Sequence, residues 1–178
     1  MNKPAEAKND IITRLIFGMG IGYLLFLIWA ILWKCGLPFW GDGTLRALNL
    51  LPLNGNARWE LQFNIAVFVP LGFYISAIKP NWPLLKRVLA ALLTSFLLEA
   101  VQFALAIGRS DITDLLMNTL GGIVGITAFC ALAKLLGKHA RKAIFVVCVL
   151  LTLLTLYMTV SFIRFGQLNI GFMIIKMS

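Results

Sequence analysis

Five apolar runs, each bounded by a short polar segment, follow one another along the chain at residues 15–33, 63–78, 88–107, 115–133 and 143–163. None shows the period-two alternation of a half-buried strand. A helix rises about 1.5 Å per residue, so about 20 residues cross the hydrocarbon core of a bilayer, and each run approaches that length. Lipid offers no partner to a backbone N–H or C=O, which leaves helices and closed barrels, and continuous apolar runs select helices. The pattern predicts an all-α, polytopic membrane bundle of five transmembrane helices, one domain spanning residues 1–178, with one long connection at residues 34–62. Residues Met1 to Thr13 are polar and no small-residue cleavage site follows the first run, so that run reads as a retained anchor.

Within the runs, small and kinking residues mark where helices approach or bend. Pro70 and Gly72 interrupt the second run, and the proline removes a helical hydrogen bond. Gly18 with Gly22, and Gly121 with Gly125 beside Gly122, give two GxxxG spacings that read as close-packing notches. The leucines of the long connection, among them Leu48, Leu50, Leu51 and Leu53, suggest that it rests on the membrane interface.

One stretch breaks the apolar pattern. From Leu98 to Gly125 the chain carries Glu99, Gln102, Arg109, Asp111, Asp114 and Asn118. Ser95, Glu99 and Gln102 follow one another at spacings of four and three, which puts them on one face of the third helix. An intramembrane carboxylate costs about 2.5 to 3.5 kcal/mol on insertion scales, so Glu99 needs a partner, a hydrated recess or a proton. Asp111 suits the N-cap of the fourth helix and Asp114 its first turn. Gln102, Asn118 and Asn64 also fit as interhelical hydrogen-bonding groups.

Composition removes the soluble alternatives. Of 178 residues, 60% are hydrophobic and 13% charged, and the mean hydropathy is +0.90. The net charge of +9 is scattered between the runs, which fits contact with membrane lipids and leaves no basic module for nucleic acid. With the N-terminus cytoplasmic, ten of the 16 Lys and Arg fall in inner segments: Lys3, Lys8, Arg14, Lys79, Lys86, Arg87, Lys134, Lys138, Arg141 and Lys142. The other six, Lys34, Arg46, Arg58, Arg109, Arg164 and Lys176, fall in outer ones. That bias predicts an N-inside, C-outside protein. Glu99 then lies about 12 Å below the outer turn at eight residues of 1.5 Å each, and Gln102, Asn118 and Asn64 reach similar depths.

The rest of the inventory narrows the chemistry. Cys35, Cys130 and Cys148 form no disulfide framework, and the single histidine, His139, lies in an inner turn away from the polar stretch. Zinc chemistry and a Ser-His pair at the polar stretch are not expected, and no cofactor is implied. A hard-cation site on Glu99, Asp111 and Asp114 is conceivable in kind, but Arg109 among them opposes it. Gly121 and Gly122 sit inside an apolar helix, so they make no phosphate loop.

The order Asn64, Phe68, Pro70, Gly72, then Glu99 with Gln102, then Arg109, Asp111, Asp114 and Asn118, then Gly121, Gly122 and Gly125, resembles the VanZ family of small bacterial membrane proteins. The resemblance spans about Asn64 to Gly125. It implies a multi-pass protein of the bacterial cytoplasmic (inner) membrane. Founding members of that family confer low-level resistance to teicoplanin, a lipoglycopeptide acting at the cell surface, without the enzymes that rebuild the peptidoglycan precursor. The resemblance brings no agreed catalytic residue with it.

Three readings of function follow. In the first, a polar cavity in the outer half of the bilayer binds a lipoglycopeptide or an amphiphilic envelope lipid. Arg109 holds the anionic part, while Glu99 with Asp111 or Asp114 faces a cationic part. In the second, the protein is an intramembrane enzyme acting on a lipid head group, with Glu99 as base and Arg109 stabilising developing charge. In the third, the polar groups only fix helix register in a structural or assembly role. Ligand identity and oligomeric state are not legible in the sequence.

Overall fold

A computed structural model describes residues 3–32, 47–49, 51, 58–107, 109–165, 168–170 and 173–175. Its five α-helices are α1 (Lys3–Leu32), α2 (Arg58–Ile78), α3 (Leu84–Leu105), α4 (Ile112–Leu136) and α5 (Ala140–Phe165). Four helical stretches are long and apolar enough to cross a membrane: Asp10–Leu32, Glu60–Ile78, Leu84–Leu105 and Ile112–Arg164. The last is 53 residues long and contains α4, a single 3-10 turn at Gly137–His139, and α5. Helices dominate as the apolar runs require, although each begins ahead of its run, α1 by twelve residues, α2 by five, α3 by four and α4 and α5 by three. At α4 the earlier start has a local cause, because Asp111 caps the helix there.

Two short strand pairs add to the helical plan. β1 (Ala47–Asn49) pairs in parallel with β2 (Arg109–Asp111), aligning Ala47 with Arg109 and Asn49 with Asp111. β3 (Leu168–Ile170) pairs antiparallel with β4 (Met173–Ile175) in the segment after α5. The α3–α4 connection is therefore more than a turn. Ala106 terminates α3 in the left-handed region, φ 54°, and its N–H returns to the carbonyls of Gln102 and Phe103 before the chain extends into β2. Of the interfacial leucines in the long connection, Leu50 and Leu53 lie outside the described residues, and Leu51 is exposed.

Long-range contacts show that successive helices alternate in direction. Thr13 near the start of α1 meets Arg141 at the start of α5, and Trp29 near the end of α1 meets Phe162 near the end of α5, with ring centroids 5.7 Å apart. Gly20 faces Ile78, which sets α1 against α2. Ile65 and Val69 face Gly121 and Gly125, so α2 and α4 run the same way, while Ala91 and Ser95 face Gly122 and Asn118, so α3 opposes α4. The ends of α1, α3 and α5 thus gather with the starts of α2 and α4.

Helix α2 is the central element. Its glycine side lets α4 approach to backbone contact: a Cβ at Gly72 would lie 2.0 Å from the Gly122 carbonyl oxygen. The equivalent atom at Gly125 would lie 1.9 Å from that of Val69. Only residues without a Cβ permit this spacing. The opposite side of α2 packs Phe68, Leu71 and Tyr74 against Tyr23 and Leu27 of α1 and Cys148 of α5, forming the apolar core. Two buried phenols are satisfied there, Tyr23 by the Val67 carbonyl and Tyr74 by the Cys148 carbonyl at 2.8 Å.

The notch expected at Gly18 and Gly22 does not pack inside the protein. A Cβ at either would meet nothing within 4 Å, and Gly20 is the α1 glycine that faces α2. Helical phase explains the correction, since residues two apart point to well-separated faces. Outward faces carry Leu89, Leu93 and Leu97 on α3 and Leu150, Leu153 and Leu154 on α5, all exposed and apolar as a lipid-facing surface requires.

Candidate functional site

The polar residues of the Leu98–Gly125 stretch collect where α3 and α4 meet, at the end of the bundle that holds the start of α2. Antiparallel pairing and the i, i+4 repeat stack them in layers. In the lowest, the Asn118 amide donates to Ser95 Oγ at 3.0 Å, directly above the close approach of Ala91 and Gly122. One turn higher on each helix are Glu99 and Asp114, within electrostatic reach of one another. Asn64 reaches this layer from α2 and donates to Asp114 Oδ1 at 2.6 Å.

The top layer is built by the chain crossing from α3 to α4. Ser110 Oγ donates to the Glu99 carbonyl at 2.8 Å, and the Asp111 N–H donates to Glu99 Oε2 at 3.2 Å. Asp111 Oδ1 accepts from the Thr113 N–H at 2.8 Å, the N-cap bond the sequence implies, and Asp111 Oδ2 accepts from Asn49 at 2.8 Å. Asn49 comes from β1, so the strand pairing carries part of the long connection onto the α4 N-terminus. There the helix dipole adds to the hydrogen bonds in favouring a carboxylate at Asp111.

Burial makes these groups unusual. Glu99 is 8% exposed, Asp111 5% and Asn118 1%, all within helices or a cap that otherwise carry apolar side chains. Asn118 Oδ1 has no hydrogen-bond partner among the described residues. Gln102, also buried, points to α1 and donates to the Ile31 carbonyl at 2.8 Å, tying together two helix ends that lie 71 residues apart in the chain.

Glu99, Gln102, Asp111, Asp114, Asn118 and Asn64 are thus brought to one end of the bundle, as their shared depth implies. The backbone of Arg109 lies in β2 beside them, and its side chain falls outside the described set. Gly72, Gly121, Gly122 and Gly125 set the helix spacing, and Pro70 lies inside α2 between Val69 and Gly72, which form that contact. No group of three or more His, Cys, Asp or Glu that could hold a metal occurs among the described residues.

Sequence reasoning missed Asn49 and Ser110 as members of the cluster, and did not foresee the burial of Arg87. Ser110 lies between Arg109 and Asp111 and carried a proximity signal, whereas nothing local marks Asn49. Arg87, counted above with the basic residues of an inner turn, is buried at the opposite end of the bundle. Its guanidinium donates to the carbonyls of Trp82 and Pro80, contacts Cys130 Sγ at 3.5 Å and lies over the Phe129 ring at 5.7 Å. It thereby satisfies carbonyls of the α2–α3 turn that its own helix cannot reach.

Comparison with known proteins agrees with the motif reading. The VanZ/LLP1 family model matches residues 20–137, a range that includes the whole polar cluster. Protein VanZ of Enterococcus faecium is 35% identical over 143 residues, covering 77% of this chain and 88% of the relative's length. No solved structure matches.

Proposed function

This chain belongs to the VanZ family, and on that premise we propose that it protects the cell envelope against teicoplanin-type lipoglycopeptides by binding an amphiphile at the polar end of its bundle. It is a multi-pass membrane protein, and in this reading it crosses the bacterial cytoplasmic membrane five times, with the N-terminus inside and the C-terminus outside. Arg14, Lys134, Lys138, Arg141 and Lys142 belong to the end opposite the polar cluster, which favours an outward-facing cluster. Cysteine-accessibility labelling tests the orientation: probes in residues 34–57 should react from outside, and a probe at Lys138 only after permeabilisation.

The observation that carries the binding role is Glu99, a carboxylate held at 8% exposure in an apolar helix beside Asp114 and Asn118. An acid in that position is expensive unless it is used. In this proposal Glu99 and Asp114 receive the cationic part of the amphiphile and Arg109 its anionic part. The test is teicoplanin susceptibility in a strain that the unmodified protein protects. Glu99→Gln and Arg109→Ala should each yield a folded, membrane-inserted protein without protection. Full protection by both variants would overturn the proposal.

A second reading is favoured by a specific observation. Gln102, Asn118, Asn64 and Asp111 all make hydrogen bonds to other elements of the same chain. In that reading the cluster fixes helix register and the protein acts through partners. It requires loss of stability and loss of protection to rise together across substitutions at these positions, whereas the binding role requires protection to fall first.

A further inference from the structure

The hydrogen-bond directions within the cluster are lopsided. Its amides spend N–H donors inward: Asn49 on Asp111, Asn64 on Asp114, Asn118 on Ser95 and Gln102 on the Ile31 carbonyl. The α3–α4 seam also holds the Glu99 and Asp114 carboxylates and the Asn118 carbonyl. Asn118 is 1% exposed and its Oδ1 accepts from nothing among the described residues, an arrangement that costs about 1–3 kcal/mol unless a donor arrives. Asn118 lies one turn from Asp114 on α4, and its partner Ser95 lies one turn from Glu99 on α3, so the two layers adjoin. Asp114 is half-buried, which opens its layer at the rim.

We propose that this seam selects a primary ammonium group, with Glu99, Asp114 and the Asn118 carbonyl as its acceptors. An –NH3+ carries three donors and no acceptor, which complements a lining that offers charge and lone pairs together. A trimethylammonium group carries the same charge without N–H, so it would leave Asn118 Oδ1 unsatisfied as well as being larger. The amide carbonyl is therefore the specificity-determining contact and the carboxylates supply the attraction. The inference rests on the binding role proposed above and names the chemistry of its ligand. Both an ethanolamine lipid and an amine-bearing lipoglycopeptide present this group.

The test uses the full chain purified in detergent, with retained molecules counted by native mass spectrometry. The probes are dioleoyl phosphatidylethanolamine, its mono- and dimethyl derivatives, and dioleoyl phosphatidylcholine. Retention should fall at successive methylations, by about tenfold or more across the series, the equivalent of one charged hydrogen bond. Asn118→Leu should bring the ethanolamine-to-choline ratio close to one, whereas Glu99→Gln should weaken retention of all four lipids. Ser95→Ala, which leaves the Asn118 carbonyl in place, should preserve the ratio. Arg109→Ala should weaken all four lipids alike, since each has the same phosphate. In a parallel arm, teicoplanin should displace the ethanolamine lipid and lose that ability once its amine is acetylated; displacement by both forms would show that the antibiotic is not held through its amine and would overturn the ammonium assignment for it.

A flat methylation series overturns the inference even if Asn118→Leu fails to fold, because the series changes only the ligand. So does a ratio that Arg109→Ala abolishes. A flat series together with loss of teicoplanin protection in Glu99→Gln refutes the ammonium assignment and leaves the binding role standing. Full protection in both Glu99→Gln and Arg109→Ala refutes the binding role itself.

Discussion

Replacing Gly125 with alanine probes the contact on which the cluster depends. The added Cβ would lie 1.9 Å from the Val69 carbonyl oxygen and 2.8 Å from the Phe73 nitrogen, both backbone atoms that no rotamer change can move aside. Ordinary contact begins at 3.4 Å, so α2 and α4 must separate by about 1.5 Å. If they part as rigid rods, the Asn64–Asp114 bond lengthens from 2.6 Å to about 4 Å, beyond hydrogen-bond range. Overpacking of this kind costs about 1–3 kcal/mol. The lost bond to a charged acceptor adds about 1.5–3 kcal/mol where the separation reaches that end of the helices. Gly18→Ala makes the matched control, because its Cβ meets nothing within 4 Å and alanine is the better helix former by up to about 1 kcal/mol. Unfolding of the purified protein in detergent, followed by helical circular dichroism against temperature and against added SDS, reads both. Gly125→Ala should be clearly less stable than the parent and Gly18→Ala equal or more stable. Equal stability of the two variants would refute the close approach of α2 and α4.

Other substitutions test separate contacts by the same unfolding measurement. Asp111→Ala removes the α4 cap and the Asn49 tie and should destabilise by about 1–2 kcal/mol, whereas Asp111→Asn keeps a capping oxygen and should lose less. Gln102→Leu breaks the bond to the Ile31 carbonyl and should cost about 0.6–2 kcal/mol. Arg87→Met should cost about 1–3 kcal/mol, because the Pro80 and Trp82 carbonyls lose their donor while the aliphatic packing is largely kept. Arg87→Lys should recover only part of that loss, since one ammonium cannot reproduce the guanidinium fork.

How much of the site was legible depended on the range of the interaction. The stacking of Ser95, Glu99 and Gln102 on one face, and of Asp111, Asp114 and Asn118 on the next helix, follows from helical periodicity alone. So does the N-cap, because Asp111 is satisfied by an N–H two residues away. Asn49 gave no local sign, since its partner is 62 residues distant and strand pairing brings them together. The burial of Arg87 was hidden for a related reason: the sequence shows its place in a basic turn, but not that the carbonyls of that turn and the end of α4 enclose its side chain.

The amino-acid order by itself determined which segments become helices, since a backbone in lipid must bond within its own segment and the apolar runs have the length to do so. It also placed the costly acid, because Glu99 lies within the third apolar run however the helices pack. Tertiary structure decided which glycines matter: Gly18 with Gly22 and Gly121 with Gly125 share one spacing, yet only the second pair faces another backbone. It likewise decided that the amides spend their donors inward and leave the Asn118 carbonyl unmatched among the described residues. Spacing is a property of one helix, whereas contact and hydrogen-bond direction belong to two helices at once and exist only after they have packed.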